Sequence, residues 1–143
     1  IYFRERQGAG FVELAGSASG GGVSANGGAS DYASVAYDLS GRPVVAWQDS
    51  SGGNPEMYVR RFEAGGWAEL AGSASAGGVS RTAGASIRPS VAVNPATGRP
   101  GVAWAEAVSG RFEVHFREFD GAAWVERGGS ATGRGVSRSS GIA

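Results

Sequence analysis

One sequence motif occurs three times in this chain and constrains its fold more than any other feature. Phe11-Val-Glu-Leu-Ala-Gly-Ser-Ala-Ser returns as Trp67-Ala-Glu-Leu-Ala-Gly-Ser-Ala-Ser and again as Trp124-Val-Glu-Arg-Gly-Gly-Ser-Ala-Thr. The spacing is about 56 residues, and self-similarity at such a period is the signature of a repeat protein. Each repeat of such a protein buries its apolar faces against its neighbours, so we expect the repeats to fold together.

The three copies belong to a longer repeat that can be aligned along the whole chain. The one difference in length falls in a turn, where Asp38-Leu-Ser-Gly corresponds to Asn94-Pro-Ala-Thr-Gly in the next repeat. The alignment divides the chain into a half repeat at 1–30, a complete repeat at 31–86 and a second complete repeat at 87–143. Each of these units ends in a long connecting loop rich in glycine and serine.

Four segments in each complete repeat have the composition of β-strands and are separated by turn residues. We name them A, B, C and D in chain order. They are predicted at 34–37, 43–49, 56–62 and 67–71 in the first complete repeat and at 90–94, 100–106, 112–119 and 123–127 in the second. The half repeat supplies only a C–D hairpin, at 1–6 and 10–14. We therefore predict an all-β chain in which each complete repeat is an antiparallel four-stranded meander.

Composition excludes several classes of function. The 143 residues include no cysteine, so disulfides and cysteine-based zinc sites are excluded. The 13 basic residues are all arginine and balance 13 acidic residues, and this lack of net charge argues against a nucleic-acid partner or an anionic membrane surface. No run of residues approaches the roughly 20 apolar residues of a membrane-spanning helix.

The C–D hairpin predicts a strand register. If Phe62 lies opposite Trp67 across the turn, then Arg60 lies opposite Glu69 on the same face of the sheet. Applied to all three hairpins, this register gives the structural pairs Arg4 with Glu13, Arg60 with Glu69 and Arg117 with Glu126. A cross-strand charge pair contributes a few tenths to about 1 kcal/mol. We therefore expect these residues to form structural ion pairs rather than ligand contacts.

The order of Gly41-Arg-Pro-Val-Val-Ala-Trp, Met57-Tyr-Val-Arg-Arg-Phe and Gly66-Trp-Ala-Glu-Leu resembles the tandem blades of bacterial, mostly extracellular β-propellers. The resemblance implies two complete blades and a half blade of one propeller, at an extracellular or cell-surface location. Propellers close with about four to eight blades. We therefore expect other propeller segments or subunits to complete the ring, and a foreign strand to pair the exposed edge of segment 1–6.

Two pairs of residues at the end of strand B are the candidate ligand-binding residues. Trp47 with Asp49, and Trp104 with Glu106, place an aromatic ring and a carboxylate two positions apart, and hence on one side of the strand. A sugar can stack on such a ring and donate its hydroxyls to the acid. The alternative is that the tryptophans pack between repeats and that the acids beside them are solvated.

The long connecting loops are the expected place for a ligand, because long loops on a rigid scaffold commonly carry binding residues. They also contain a repeated feature. Val23, Val79 and Val136 recur in these loops in the same Gly-Val-Ser setting. The recurrence predicts that each valine anchors its loop on the sheet.

Catalytic chemistry is poorly represented in the sequence. His115 is the only histidine, and we expect a core or rim residue rather than a general base. Oxygen-bearing residues between Asp49 and Glu56 alternate as in calcium loops, but the corresponding loop of the next repeat does not preserve them. We therefore expect no catalytic residue, metal or cofactor. Three functions stay open: a non-catalytic binding module that recognises glycans on the long loops, and a structural or protein-interaction propeller within a surface or extracellular assembly. The third and least favoured is a glycan-processing enzyme, which needs clustered carboxylates or a metal that the repeats do not offer.

Overall fold

The computed structural model describes residues 1–138 of the chain. This part is all-β and contains ten strands in three antiparallel sheets. The strands are β1 (Glu5–Gln7), β2 (Gly10–Val12), β3 (Ser30–Tyr37), β4 (Pro43–Asp49), β5 (Glu56–Glu63), β6 (Gly66–Glu69), β7 (Ser86–Val93), β8 (Pro100–Val108), β9 (Arg111–Phe119) and β10 (Trp124–Val125). No helix in these residues is long and apolar enough to cross a membrane.

Each complete repeat forms one four-stranded sheet whose strands are neighbours in chain order. The first sheet has the order β3-β4-β5-β6 and the second has the order β7-β8-β9-β10, with every pair antiparallel. The half repeat forms the two-stranded sheet β1-β2. The predicted fold class, all-β with blade-like four-stranded meanders, is confirmed.

The predicted register of the C–D hairpins is also found. Across β5 and β6, Phe62 pairs with Trp67 and Arg60 pairs with Glu69. The equivalent positions pair correspondingly in the other two hairpins, Phe119 with Trp124 and, where arginine replaces the first aromatic residue, Arg6 with Phe11. The hairpin turn therefore fixes which residues of strands C and D face each other, as the repeat motif predicts.

The first strand of each four-stranded sheet is longer than predicted. Strand β3 begins at Ser30 rather than at 34. Its register shifts between Asp31 and Ser34, where Tyr32 adopts a left-handed φ of 51°. This bulge lets the strand continue through a segment whose serine and aspartate residues are typical of a turn. Strand β7 has the same shift, with Arg88 at a φ of 56°.

The opening hairpin is shorter than predicted, because the half repeat has no strand B to pair with its first residues, as β4 pairs with β5 in the first complete repeat. Strand β1 begins at Glu5 rather than at the first residue. The Phe3 N–H donates to the Ser17 carbonyl at 2.9 Å, and the Val23 N–H donates to the Ile1 carbonyl at 2.8 Å. The loop that follows β2 therefore continues the D side of this segment, as the loop that follows β6 does in the first complete repeat through Val59 and Val79.

The core lies between successive repeats. Between the half repeat and the first four-stranded sheet, Val23, Val45, Trp47 and Tyr58 form one buried cluster. A larger cluster lies between the two four-stranded sheets and comprises Val44, Ala46, Met57, Val59, Val79, Val91, Val102, Trp104 and Ala131. Neighbours such as Val44 and Val45 enter different clusters, since side chains alternate between the faces of a strand. We call the face of the first sheet that carries Val45 and Trp47, against the preceding repeat, its head face, and the face that carries Val44 and Ala46, against the following repeat, its tail face; the same names are used for the equivalent faces of the other repeats.

Candidate functional site

Two buried hydrogen-bonded pairs stand at the ends of strands β4 and β8. The Trp47 Nε1–H donates to Asp49 Oδ2 at 3.0 Å, and the Trp104 Nε1–H donates to Glu106 Oε2 at 2.8 Å. The period of two along a strand puts each ring and its carboxylate on the same side. All four residues are at most 2% exposed. The structure therefore brings each predicted pair together, but inside the molecule.

Both tryptophan rings pack against other rings. Trp47 meets Tyr58 edge-on with ring centroids 5.9 Å apart, and Trp104 meets His115 edge-on at 5.9 Å. A sugar platform needs an exposed ring face and an accessible acid. The two tryptophan–carboxylate pairs offer neither, so the expected sugar-binding role does not fit this geometry. The alternative of packing between repeats describes the rings, although the acids are buried rather than solvated.

The Asp49 carboxylate is held by donors from its own chain. The Ser30 Oγ–H and the Asn26 Nδ2–H donate to Oδ2 at 2.6 and 2.5 Å, and the Ser51 N–H donates to Oδ1 at 2.9 Å. Burial alone raises the pKa of the Asp49 carboxyl, but these hydrogen bonds, that of Ser30 first, favour the ionised form and lower its pKa to about 2. Asp49 therefore ties the segments before β3 and after β4 to the end of the sheet.

Glu106 and Glu56 are linked by shared partners between the two four-stranded sheets. The Ser86 Oγ lies 2.6 Å from Glu106 Oε2 and 3.4 Å from Glu56 Oε2. The Thr82 hydroxyl donates to Glu106 Oε1 at 2.7 Å, and its N–H donates to Glu56 Oε1 at 3.3 Å. The Asn54 Nδ2–H donates to Glu56 Oε1 at 3.0 Å. Groups of the chain itself thus occupy the carboxylate oxygens that a sugar or a cation would need.

His115 has a structural position in the second sheet. It pairs with Trp104 across β8 and β9, which is the place that Tyr58 takes opposite Trp47 in the first sheet. The ring is 3% exposed, and its Nε2 lies 3.2 Å from the Gly133 carbonyl oxygen. Its Nδ1 is buried with no hydrogen-bond partner among residues 1–138. The alignment of His115 with Tyr58 in the repeat is the sequence signal that identifies a packing position.

The long loops that follow the D strands are anchored. Three valine N–H groups donate at 2.7 to 2.8 Å to carbonyls on the C segment of the same repeat: Val23 to Ile1, Val79 to Met57 and Val136 to Val114. The glycine before each valine has a left-handed φ, and a Cβ added there would lie 2.2 to 2.3 Å from the same carbonyl oxygen. Glycine alone allows this approach. All three loops are therefore anchored through the backbone, as predicted, while only the side chains of Val23 and Val79 are also buried.

The repeated arginine and glutamate of the C–D hairpin bind different partners. The Arg60 Nη1–H donates to the Val23 carbonyl of the preceding repeat at 2.8 Å, while Glu69 Oε2 accepts from the Ala74 N–H at 3.1 Å. The other copies give Arg117 to Val79 at 2.7 Å, Ala18 to Glu13 at 3.0 Å and Ala131 to Glu126 at 3.1 Å. Arginine therefore joins consecutive repeats, and glutamate closes the loop after its own hairpin.

Arg60 and Glu69 are directly opposed in the register, as predicted, but the charge contact expected between the paired side chains is not found. The ion pairs within residues 1–138 involve other partners, such as Arg61 with Glu63 at 2.5 Å. The pairs expected from the sequence, Arg4 with Glu13, Arg60 with Glu69 and Arg117 with Glu126, are not among them. Opposition in the strand register does not force contact, because a long arginine side chain also reaches the neighbouring repeat.

The described residues hold no group of three or more His, Cys, Asp or Glu side chains placed to bind a metal ion. No family model, curated protein or solved structure matches this chain. Equivalent positions of the repeats differ in their exposure to solvent, and this difference marks the candidate site. Large differences in exposure between equivalent positions lie at both ends of the array, and one of them is on the last repeat.

The last repeat exposes positions that are buried in the repeat before it. Val114 and Val136 are 44% and 56% exposed, whereas the corresponding Met57 and Val79 are 0% exposed. Beside them, Phe116 lines a groove of about 440 Å³ with residues of β7 and β8. We call Val114, Phe116 and Val136 the open tail face. Its equivalent in the first sheet is covered by the head face of the second sheet.

Proposed function

We propose that this chain is a non-catalytic β-propeller segment with a structural, protein-interaction role, in which the open tail face docks a further repeat of the same kind. The observation that carries the proposal is the exposure of Val114 and Val136 where Met57 and Val79 are buried. Stacked repeats share a continuous core, so an end without a polar cap exposes core positions. In the first sheet the equivalent face packs against the apolar head face of the next repeat, so a partner of the open tail face is expected to present a similar apolar surface.

The alternative function, glycan recognition on the long loops, has lost the residues that motivated it. Trp47 and Trp104 are buried, and their neighbouring acids are bonded to the chain itself. The loops are also pinned to the sheets by the Gly-Val-Ser segments. These contacts agree better with a module that binds its partner through the faces of its sheets than with one that binds a ligand through its loops.

The propeller architecture in this proposal is supported by two features of the molecule. Each four-stranded sheet is a meander in chain order, and successive sheets pack face to face. Closure of a ring of about four to eight blades is what the proposal requires of the complete assembly. An extracellular location rests on the sequence resemblance alone and stays a prediction.

The proposal is tested by extending the chain with one of its own repeats. Residues 31–86 are added after Ala143, which places the new blade in register with the repeat alignment. If the open tail face docks repeats, the added blade covers it, and the extended chain unfolds in one cooperative transition with a higher free energy of unfolding. The measurement is urea denaturation followed by tryptophan fluorescence and by circular dichroism.

The matched control carries Val45→Asp in the added copy only. Val45 is 2% exposed on the head face of the first sheet, so the substitution spoils the docking surface of the new blade and leaves the natural part unchanged. This control is expected to lose the added stability. Equal stabilities for the natural, extended and control chains, or two separate unfolding transitions, would overturn the proposal.

A further inference from the structure

Each junction between repeats contains one arginine bonded to one valine carbonyl. At the first junction the Arg60 guanidinium donates to the Val23 carbonyl at 2.8 Å, and at the second Arg117 donates to the Val79 carbonyl at 2.7 Å. The arginine always comes from strand C of the later repeat, and the carbonyl always comes from the anchored loop of the earlier one. A charge-assisted hydrogen bond to a fixed carbonyl gives a junction its register.

The third copies of both groups are present but not joined. Arg4 occupies the arginine position of the half repeat, is exposed, and has no hydrogen-bond or ion-pair partner within residues 1–138. Val136 occupies the valine position of the last repeat, and its carbonyl receives no such arginine in the same part of the chain. The molecule therefore displays a donor on its head side and the matching acceptor on its tail side.

We propose that a second copy of this chain covers the open tail face, with Arg4 of one copy donating to the Val136 carbonyl of the other. The inference rests on the proposed function and names the partner of that face. The occupant is a second copy because this chain itself carries the missing donor at the equivalent position. The contact is heterologous, so further copies add at each end unless the rotation between copies closes a ring.

Apolar groups accompany this donor and acceptor on both sides. On the head side, Tyr2 and Phe11 are 67% and 69% exposed, and on the tail side Val114 and Val136 are 44% and 56% exposed. Phe11 stands where Trp67 and Trp124 stand in the later repeats. A phenyl ring can cover the tail face in the same way as an indole.

The junction between copies is weaker than an internal junction for a reason visible in the sequence. Trp67 and Trp124 each donate an indole N–H to a leucine carbonyl of the preceding repeat, Leu14 at 2.9 Å and Leu70 at 2.8 Å. Phe11 has no such donor. The half repeat also lacks the A and B strands, so less surface is covered. We therefore expect reversible, concentration-dependent association.

The first test is analytical ultracentrifugation of the natural chain from micromolar to near-millimolar concentration. The natural chain is expected to associate, and Arg4→Ala is expected to weaken the association about tenfold, as befits the loss of a hydrogen bond to a charged group. The matched control is Arg42→Ala, which removes the same charge from the turn between β3 and β4, away from the proposed contact. The Arg42 Nε–H donates to Asp38 Oδ2 at 2.7 Å within that turn, so its loss is expected to leave the association unchanged.

The second test uses the absence of cysteine in the natural chain. One chain carries Arg4→Cys, another carries Val136→Cys, and the two are mixed with a short bis-maleimide. We expect cross-linked heterodimers from this mixture. We expect none from Val136→Cys mixed with Ser40→Cys, because Ser40 is exposed to the reagent but lies in the turn between β3 and β4, which is not part of the proposed contact.

The outcomes separate this inference from the proposed function. A natural chain that stays monomeric, or an Arg4→Ala variant that associates as tightly as Arg42→Ala, overturns the second copy as partner. The proposed function survives either result if the chain extended with residues 31–86 gains stability. If the extended chain gains none, the proposed function fails whether or not copies associate.

Discussion

Asp49 illustrates, at the scale of single residues, how this fold uses buried charge. Its carboxylate is 1% exposed, yet it accepts hydrogen bonds from Trp47, Ser30, Asn26 and Ser51. These donors outweigh the cost of burial, and the folded state therefore holds the carboxylate ionised. A side chain that resembled a ligand contact in the sequence serves as a structural anchor.

The pKa of Asp49 leads to a prediction about acid stability. The folded value of about 2 lies below the ordinary 3.8, so ionised Asp49 stabilises the fold above about pH 4. This stabilisation, about 2 kcal/mol, is lost as the pH falls toward 2. We expect the difference in free energy of unfolding between the natural chain and Asp49→Asn to shrink by that amount over this range. A difference that does not change with pH in urea titrations would contradict the assignment.

Gly78 leads to a second prediction at this scale. It has a φ of +61°, and a Cβ there would lie 2.2 Å from the Met57 carbonyl oxygen and 2.2 Å from the Tyr58 ring. We expect Gly78→Ala to lower the free energy of unfolding by more than about 3 kcal/mol, since backbone strain and a clash add. The control is Gly65→Ala, where φ is +80° and the added Cβ meets open space. Equal costs in chemical denaturation would show that the loop is not held against the strand.

At the scale of elements, the sequence predicted local pairings well and contacts between repeats poorly. The register of Phe62 with Trp67 follows from a short hairpin and a repeated motif, and it is found. The early start of strand β3 was missed because a bulge at Tyr32 carries the strand through residues typical of a turn. The partner of Arg60 was missed because Val23 lies one repeat away, and a motif within one repeat does not encode that distance.

The contact made by Arg60 can be tested against the pairing first expected for it. A double-mutant cycle between Arg60→Ala and Glu69→Ala is expected to give a coupling energy below about 0.3 kcal/mol, because the two side chains bind different backbone groups. Arg60→Ala alone is expected to cost about 1.5 to 3 kcal/mol through its lost bond to the Val23 carbonyl. A coupling near 1 kcal/mol would restore the cross-strand ion pair.

For the candidate site, too, the sequence predicted the arrangement within a strand but not the packing between repeats. Alternation along a strand correctly put Trp47 beside Asp49 and Trp104 beside Glu106. Whether such a pair faces solvent or a neighbouring sheet depends on packing between repeats, which a strand pattern does not encode. The open tail face could have been found from the alignment of Val114 with Met57, once the buried partner of Met57 was known.

At the scale of the whole molecule, repetition makes each sheet the partner of the next. The half repeat, the first sheet and the second sheet share two interfacial cores, and the second sheet presents a third such surface that no other repeat covers within residues 1–138. Stability in such an array is the sum of terms for repeats and their interfaces. The same substitution should therefore have different costs at equivalent positions, according to whether a neighbouring repeat is docked.

The most direct measurement is the cost of Val136→Asp in the natural chain and in the chain extended with residues 31–86, by urea denaturation at low protein concentration. In the natural chain Val136 is 56% exposed, and we expect a cost below about 0.5 kcal/mol. In the extended chain the residue becomes the counterpart of the buried Val79, and we expect a cost above about 3 kcal/mol from an unpaired buried carboxylate. The same small cost in both chains would contradict the account.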